Sequence, residues 1–292
     1  MPWGEIGLHS VALIAFPGAL TLVLLGALGE WGAAWALVPE RGGLVPAGRS
    51  VLRALLPSVR PLGLPPMATA AALMTLLAAT QLAIPLSPVP TGERNLMVAA
   101  IALATAGWAA WAWGWNRREL NPRLVVAVQA VWLLAVFAPA VVPENLRPEA
   151  LGAVMIGSLL PLKIACAVLY LFSLPVLMQL IPEAAPQGLP AASGRRQPGL
   201  EAAGFGLVRV LLWLPYCGLF ASLYFPPFGD DAVGLLRFLG VTAGSAAVAI
   251  FLAANLVRRT ATTTNRLYAW IVVPFGWLTL GIAMLTAAYH GV

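Results

Sequence analysis

Charged residues in this chain are spaced so as to leave long runs with none. Charge-free stretches fall between Glu5 and Glu30, Arg60 and Glu93, Arg94 and Arg117, and Arg123 and Glu144. Four more run from Lys163 to Glu183, Arg209 to Asp230, Arg237 to Arg258, and Arg266 to the end. Each can hold the roughly 20 apolar residues that cross ~30 Å of hydrocarbon at ~1.5 Å per residue. The expected fold is therefore all-α: a polytopic membrane bundle of about eight transmembrane helices. The spans are expected near residues 7–29, 63–85, 95–115, 124–142, 155–181, 204–225, 236–257 and 267–289, as a single membrane domain over 1–292. No alternating strand pattern argues for a barrel.

Composition agrees. Hydrophobic residues make up 60% of the chain and charged residues 10%, against about a quarter charged in soluble domains. So apolar a chain would aggregate rather than stay disordered. Cys166 and Cys217 are too few for a disulfide framework or a thiolate metal site. The first run lacks a basic n-region and is too long for a cleavable signal, so it should remain as a span.

Arginine placement sets the expected orientation. The odd-numbered loops carry Arg41, Arg49, Arg53 and Arg60, then Arg117, Arg118 and Arg123, then Arg195 and Arg196, then Arg258, Arg259 and Arg266. The even-numbered loops hold only Arg94, Arg147 and, at its edge, Arg237. The positive-inside rule puts the odd loops in the cytoplasm and both termini outside. The net charge of +6 is this bias. Arginines scattered over separate loops do not make a nucleic-acid stripe. Residues 30–62, broken by Pro39, Pro46, Pro57 and Pro61, read as an amphipathic stretch along the cytoplasmic interface. Residues 182–202 read as a long connection rich in Pro, Gly and Ala. No internal repeat is visible, which weakens the commonest transporter architectures.

Ionisable groups inside a membrane flag function. No carboxylate is central to an expected span; Glu30, beside Trp31, stands at the cytoplasmic end of the first. Lys163 follows Pro161, a favoured first helical position, and from there should snorkel to the outer interface. A helix starting near 151 would instead bury it. His9 and His290 could meet at the external side, but two histidines without a third ligand make a poor metal site. Trp108, Trp111, Trp113 and Trp115 form an expected aromatic belt at the end of the third helix. Arg209, near the start of the sixth helix, faces either an acidic partner subunit or a lipid head group, or is one more topogenic arginine. No phosphate loop, Ser–His–Asp set or Cys–His cluster is present, so no residue is assigned as catalytic or as a metal ligand.

The order of features resembles the membrane subunit 1 family of respiratory complex I. That family includes the corresponding subunit of membrane-bound nickel–iron hydrogenases. The likeness rests on Phe16-Pro17-Gly18 followed by Glu30-Trp31, on Arg41-Gly42-Gly43, and on Pro182-Glu183-Ala184 with Ser193-Gly194. It rests also on Arg259-Thr260 and Arg266 before Trp270 and Pro274. It implies a divergent, non-catalytic subunit of the plasma (inner) membrane, linking a peripheral Fe–S arm to the membrane arm of an oxidoreductase complex. It also implies that Glu30, Arg41, Arg53, Glu183, Arg195, Arg196 and Arg209 face a quinone cavity or a subunit interface. A quinone would sit at the boundary with a peripheral subunit, and no cofactor would be bound by this chain alone. The chain departs from the family where Ala185 replaces an expected acid and where buried glutamates are missing, so it offers few groups for a proton relay. Two other readings share the same pattern: an accessory paralogue without quinone or proton work, and an unrelated small membrane transporter.

Overall fold

The computed structural model describes residues 14, 16–37, 43–55, 66–87, 89–114, 122–153, 157–181, 200–225, 228–257 and 261–291. Helices α1 (Ala19–Leu37), α2 (Leu44–Leu55), α3 (Pro66–Thr80) and α4 (Leu96–Gly114) come first. They are followed by α5 (Pro122–Phe137), the short α6 (Pro148–Ala153), α7 (Leu160–Leu177) and α8 (Leu200–Tyr224). The last are α9 (Ala232–Val257), α10 (Ala261–Leu267) and α11 (Val273–His290), with a π-helical turn, Tyr268–Val272, joining α10 to α11. Among the described residues there is no strand. Among the described residues, six helical segments are long and apolar enough to cross a membrane, and Pro66–Thr80 of α3 and Leu96–Trp111 of α4 are shorter apolar stretches. The chain is an all-α, multi-pass membrane bundle.

Helix α8 is its axis. The apolar window of α8 is 83% buried, against 22% for those of α1, α9 and the last helix. It packs against α1, α3, α4, α6 and α9, while α5, α7 and α11 pack on one another. Lipid cannot hydrogen-bond a polar group, so hydroxyls in the core must find carbonyls on neighbouring helices. Tyr170 Oη donates to Tyr216 O at 2.7 Å, and Tyr224 Oη to Ala135 O at 2.7 Å. Tyr268 Oη donates to Phe172 O at 2.9 Å. Trp132 packs edge-on to Tyr216, with centroids 5.5 Å apart, which fills the seam between α5 and α8.

Several boundaries differ from the charge-spacing reading. The first long helix is Ala19–Leu37 rather than 7–29, and it starts after the Phe16–Gly18 bend. Glu30 does not end the helix, because Arg209 of α8 meets its charge. Helix α3 stops at Thr80, short of the expected 85. The chain then turns through Leu82, Ala83 and Ile84, which are buried, and Ala83 N–H donates to Ser222 Oγ of α8 at 3.1 Å. Irregular backbone at that depth is tolerated where protein covers it. Trp111 is 4% exposed and stacks edge-on against Trp108 at 5.2 Å, so it faces the bundle rather than a belt. The side chain of Trp113, and Trp115, lie outside the described residues. The amphipathic first loop contains a helix, α2, with Pro46 in its first turn, where a missing N–H costs nothing.

Candidate functional site

Glu30 and Arg209 meet although 179 residues separate them. Helix α1 carries Glu30 seven residues before its end, and α8 carries Arg209 nine residues after its start. The two helices approach closely because α1 presents glycines. A Cβ at Gly26 would overlap the Val210 carbonyl, and one at Gly29 would lie 2.5 Å from the Trp213 ring. In that seam Arg209 Nη2 donates to Glu30 Oε2, while Trp213 Nε1 donates to Glu30 Oε1 at 3.0 Å. Both carboxylate oxygens are thus satisfied, as a buried charge requires. Exposure is uneven: the Glu30 side chain is 7% exposed and that of Arg209 is 41%. The carboxylate is sealed in, and the guanidinium looks outward.

Helix α2 is tied to the same end of the bundle. Trp31, one residue after the carboxylate, donates from Nε1 to Leu44 O at 2.7 Å, which holds the first residue of α2. Gly48 lets the indole lie against that helix, since a Cβ there would sit 3.2 Å from Trp31 Nε1. Leu44, Val45 and Leu52 of α2 stay exposed, as does Arg49. An amphipathic helix of this kind lies in an interface plane with its apolar face in lipid. Beside the ion pair, a groove of about 350 Å³ runs between α1, α8 and α9. Gly29 and Trp213 line it, with Cys217, Thr242 and Ile250 further along. The arrangement is a half-open arginine, neutralised by a sealed acid, beside an apolar slot and under an interfacial helix. The slot can hold an apolar molecule; Arg209 is not one of its lining residues.

A second polar cluster sits at the other end of α8, where Gly152 of α6 lies against the Ser222 and Phe225 carbonyls. Arg94, 6% exposed, pairs with Glu149 and donates from Nη2 to Val89 O at 2.9 Å. Lys163 lies in the first turn of α7, which starts at Leu160 with Pro161 as expected. The lysine does not snorkel: it is 5% exposed, and its Nζ donates to Leu151 O and to Gly152 O. The carbonyls ending α6 carry partial negative charge, and they give the ammonium a nearer partner than lipid head groups. These bonds lock a short surface helix to the bundle, and the cluster reads as structural.

Of the residues singled out from sequence, Glu30 and Arg209 come together. Arg209 pairs with an acid of its own chain. Arg41, Glu183, Arg195, Arg196 and His9 lie outside the described residues, as does the side chain of Arg53, which falls in α2. Sequence reasoning missed Trp213, the second donor to Glu30. The available signal was the appearance of one acid and one base, each inside an otherwise apolar run, Ala19–Leu37 and Gly206–Tyr224. In a bilayer such charges seek each other.

No protein-family model and no curated protein sequence matches the chain. Its fold matches a chain in the solved structure of the membrane-bound sulfane sulfur reductase, an archaeal respiratory membrane complex. The match has a TM-score of 0.61 at 13% identity and covers 95% of this chain and 99% of that one. At that identity the likeness is one of fold, and it extends over the whole length of both chains.

Proposed function

We propose that this chain is a membrane-anchoring subunit of a complex I-like or hydrogenase-like oxidoreductase, joining a peripheral redox arm to a membrane arm. The observation that carries this reading is the end-to-end sharing of fold with a chain from a respiratory membrane complex. A bundle of this size has many alternative ways to pack, so agreement over both full lengths favours a common role over a chance likeness. In this reading the Arg-rich loops lie in the cytoplasm, the protein sits in the plasma membrane, and Arg53, Arg195 and Arg196 face the peripheral subunits. The Glu30–Arg209–Trp213 site lies at the same end as those loops, under α2. There the half-exposed Arg209 would donate to a quinone carbonyl.

One observation favours a narrower role. Among the described residues of the six long spans, Glu30 is the only carboxylate, and Arg209 neutralises it. A proton path through a helix bundle needs groups that change charge. The second reading is accordingly an accessory subunit that anchors without moving protons.

The test is purification of the tagged full-length chain in mild detergent, with identification of co-purifying subunits and assay of iron. Stoichiometric iron-containing subunits are expected. Isolation as a lone monomer or homo-oligomer free of iron would overturn both readings and leave a transporter. A second, carboxylate-rich paralogue in the purified complex would select the accessory reading.

A further inference from the structure

We infer that the seam between α5 and α11 is a binding site for one anionic phospholipid, with its phosphodiester on Arg123 and Arg266 and an acyl chain in the trough below them. Two adjoining hollows make up this seam. The deeper one, about 370 Å³, is wholly apolar, with Ala130, Val131 and Leu134 on α5 facing Gly276, Trp277 and Leu280 on α11. The other, about 400 Å³, opens at the end where α5 and α10 begin and contains Arg123, Arg266 and Asn265. Ala127 and Val273 line both, so the two hollows are one continuous channel along the bundle surface.

Its chemistry changes along its length as an amphiphile's does. Arg123 and Arg266 are exposed at the mouth. Arginine is the side chain suited to a phosphodiester, because its planar fork can give two parallel hydrogen bonds. Asn265 lines the same mouth. Trp270, 79% exposed on the π-helical turn, stands at the rim, where indoles settle at head-group level. From Arg123 to Leu134 the trough runs roughly 16 Å at ~1.5 Å per residue, which is about one leaflet of a ~30 Å core. Gly276 keeps its floor low, since a Cβ there would press on Val131 at 3.0 Å. Neither a free anion nor a wholly apolar molecule uses both halves of this channel.

The test uses the full-length chain, with any subunits that accompany it, in phosphatidylcholine vesicles. A trace of phosphatidylglycerol carrying a photoreactive group in one acyl chain is added, and cross-linked peptides are mapped. Labelling is expected within residues 127–134 and 273–280. Unlabelled phosphatidylglycerol should compete about thirtyfold better than phosphatidylcholine, because each basic residue near an anionic head group contributes about fivefold. The Arg123→Gln/Arg266→Gln variant should lose that preference, and Ala130→Trp should lose the labelling. Inorganic phosphate should not compete. Equal competition by the two lipids in the wild-type protein overturns the inference whatever the variants do. Displacement by inorganic phosphate does the same, and points to a free-anion site. Labelling elsewhere on the chain, the outcome if another subunit's helix fills the trough, overturns it as well.

Discussion

Replacing Glu30 with Gln removes the charge that Arg209 meets while leaving one oxygen for Trp213 Nε1, now 3.0 Å from Oε1. Severing a fully buried ion pair costs about 3–5 kcal/mol, because one charge is left stranded. Here the stranded group is Arg209, whose side chain is 41% exposed. Its guanidinium can swing to water or head groups, so the expected cost of Glu30→Gln is only about 1–2 kcal/mol. Arg209→Gln leaves the 7%-exposed Glu30 behind. A sealed carboxylate has nowhere to turn, so this change should cost more, about 2–4 kcal/mol. The double variant should recover roughly 1 kcal/mol relative to the sum of the two. The assay is reversible unfolding of the full-length protein in mixed micelles with a rising fraction of ionic detergent, followed by tryptophan fluorescence and circular dichroism. A coupling below about 0.5 kcal/mol, the scatter seen between independent sites, would refute the pairing. So would a larger loss for Glu30→Gln than for Arg209→Gln.

Gly26→Leu should separate α1 from α8, because the added Cβ would strike the Val210 backbone carbonyl; a loss of roughly 1–3 kcal/mol in the same unfolding assay is expected, with little change for Gly240→Ala, where a Cβ meets nothing. Lys163→Met should cost about 1–3 kcal/mol by removing the donor to the Leu151 and Gly152 carbonyls, and protease cleavage within residues 148–153 should rise. Reporter fusions at Arg53, Arg118, Gly194 and Thr262 should read cytoplasmic and those at Pro90 and Asp231 external; an external signal at Gly194 would overturn the orientation. Charge reversal of Arg195 and Arg196 together should release peripheral subunits into the soluble fraction while this chain stays in the membrane, whereas a complex that stays whole with normal turnover would remove that loop from the interface.

The helical bundle was legible in the sequence because a bilayer leaves the backbone so few options. A run of about twenty residues without charge in a bilayer is held to a helix, and the limits follow to within a turn or two except in the first span, which lies at Ala19–Leu37 rather than 7–29. What spacing could not show was compensation between distant residues. Glu30 looks like a helix end only if it has no partner, and the partner lies on a helix that starts at Leu200. Lys163 looked like a snorkelling residue because the nearest known polar surface was the interface. The carbonyls that hold it belong to α6, a six-residue helix too short for periodicity to reveal. Trp111 illustrates the converse: tryptophan is common at both interface and core, and its type does not say which.

The pairing of α1 with α8 has a temporal side. The two partners are 179 residues apart in sequence. At translation rates of ~5–20 residues per second, Glu30 enters the membrane roughly 9–36 s before Arg209 leaves the ribosome. During that interval the first span carries an acid with no counter-charge, and its foothold in the bilayer is weaker than its apolar residues alone would give. Late arrival of a helix that is to occupy the centre means that the early helices cannot close their packing first. The bundle is committed only when its axis is threaded, so truncation after residue 199 should leave a chain that is inserted but open to degradation.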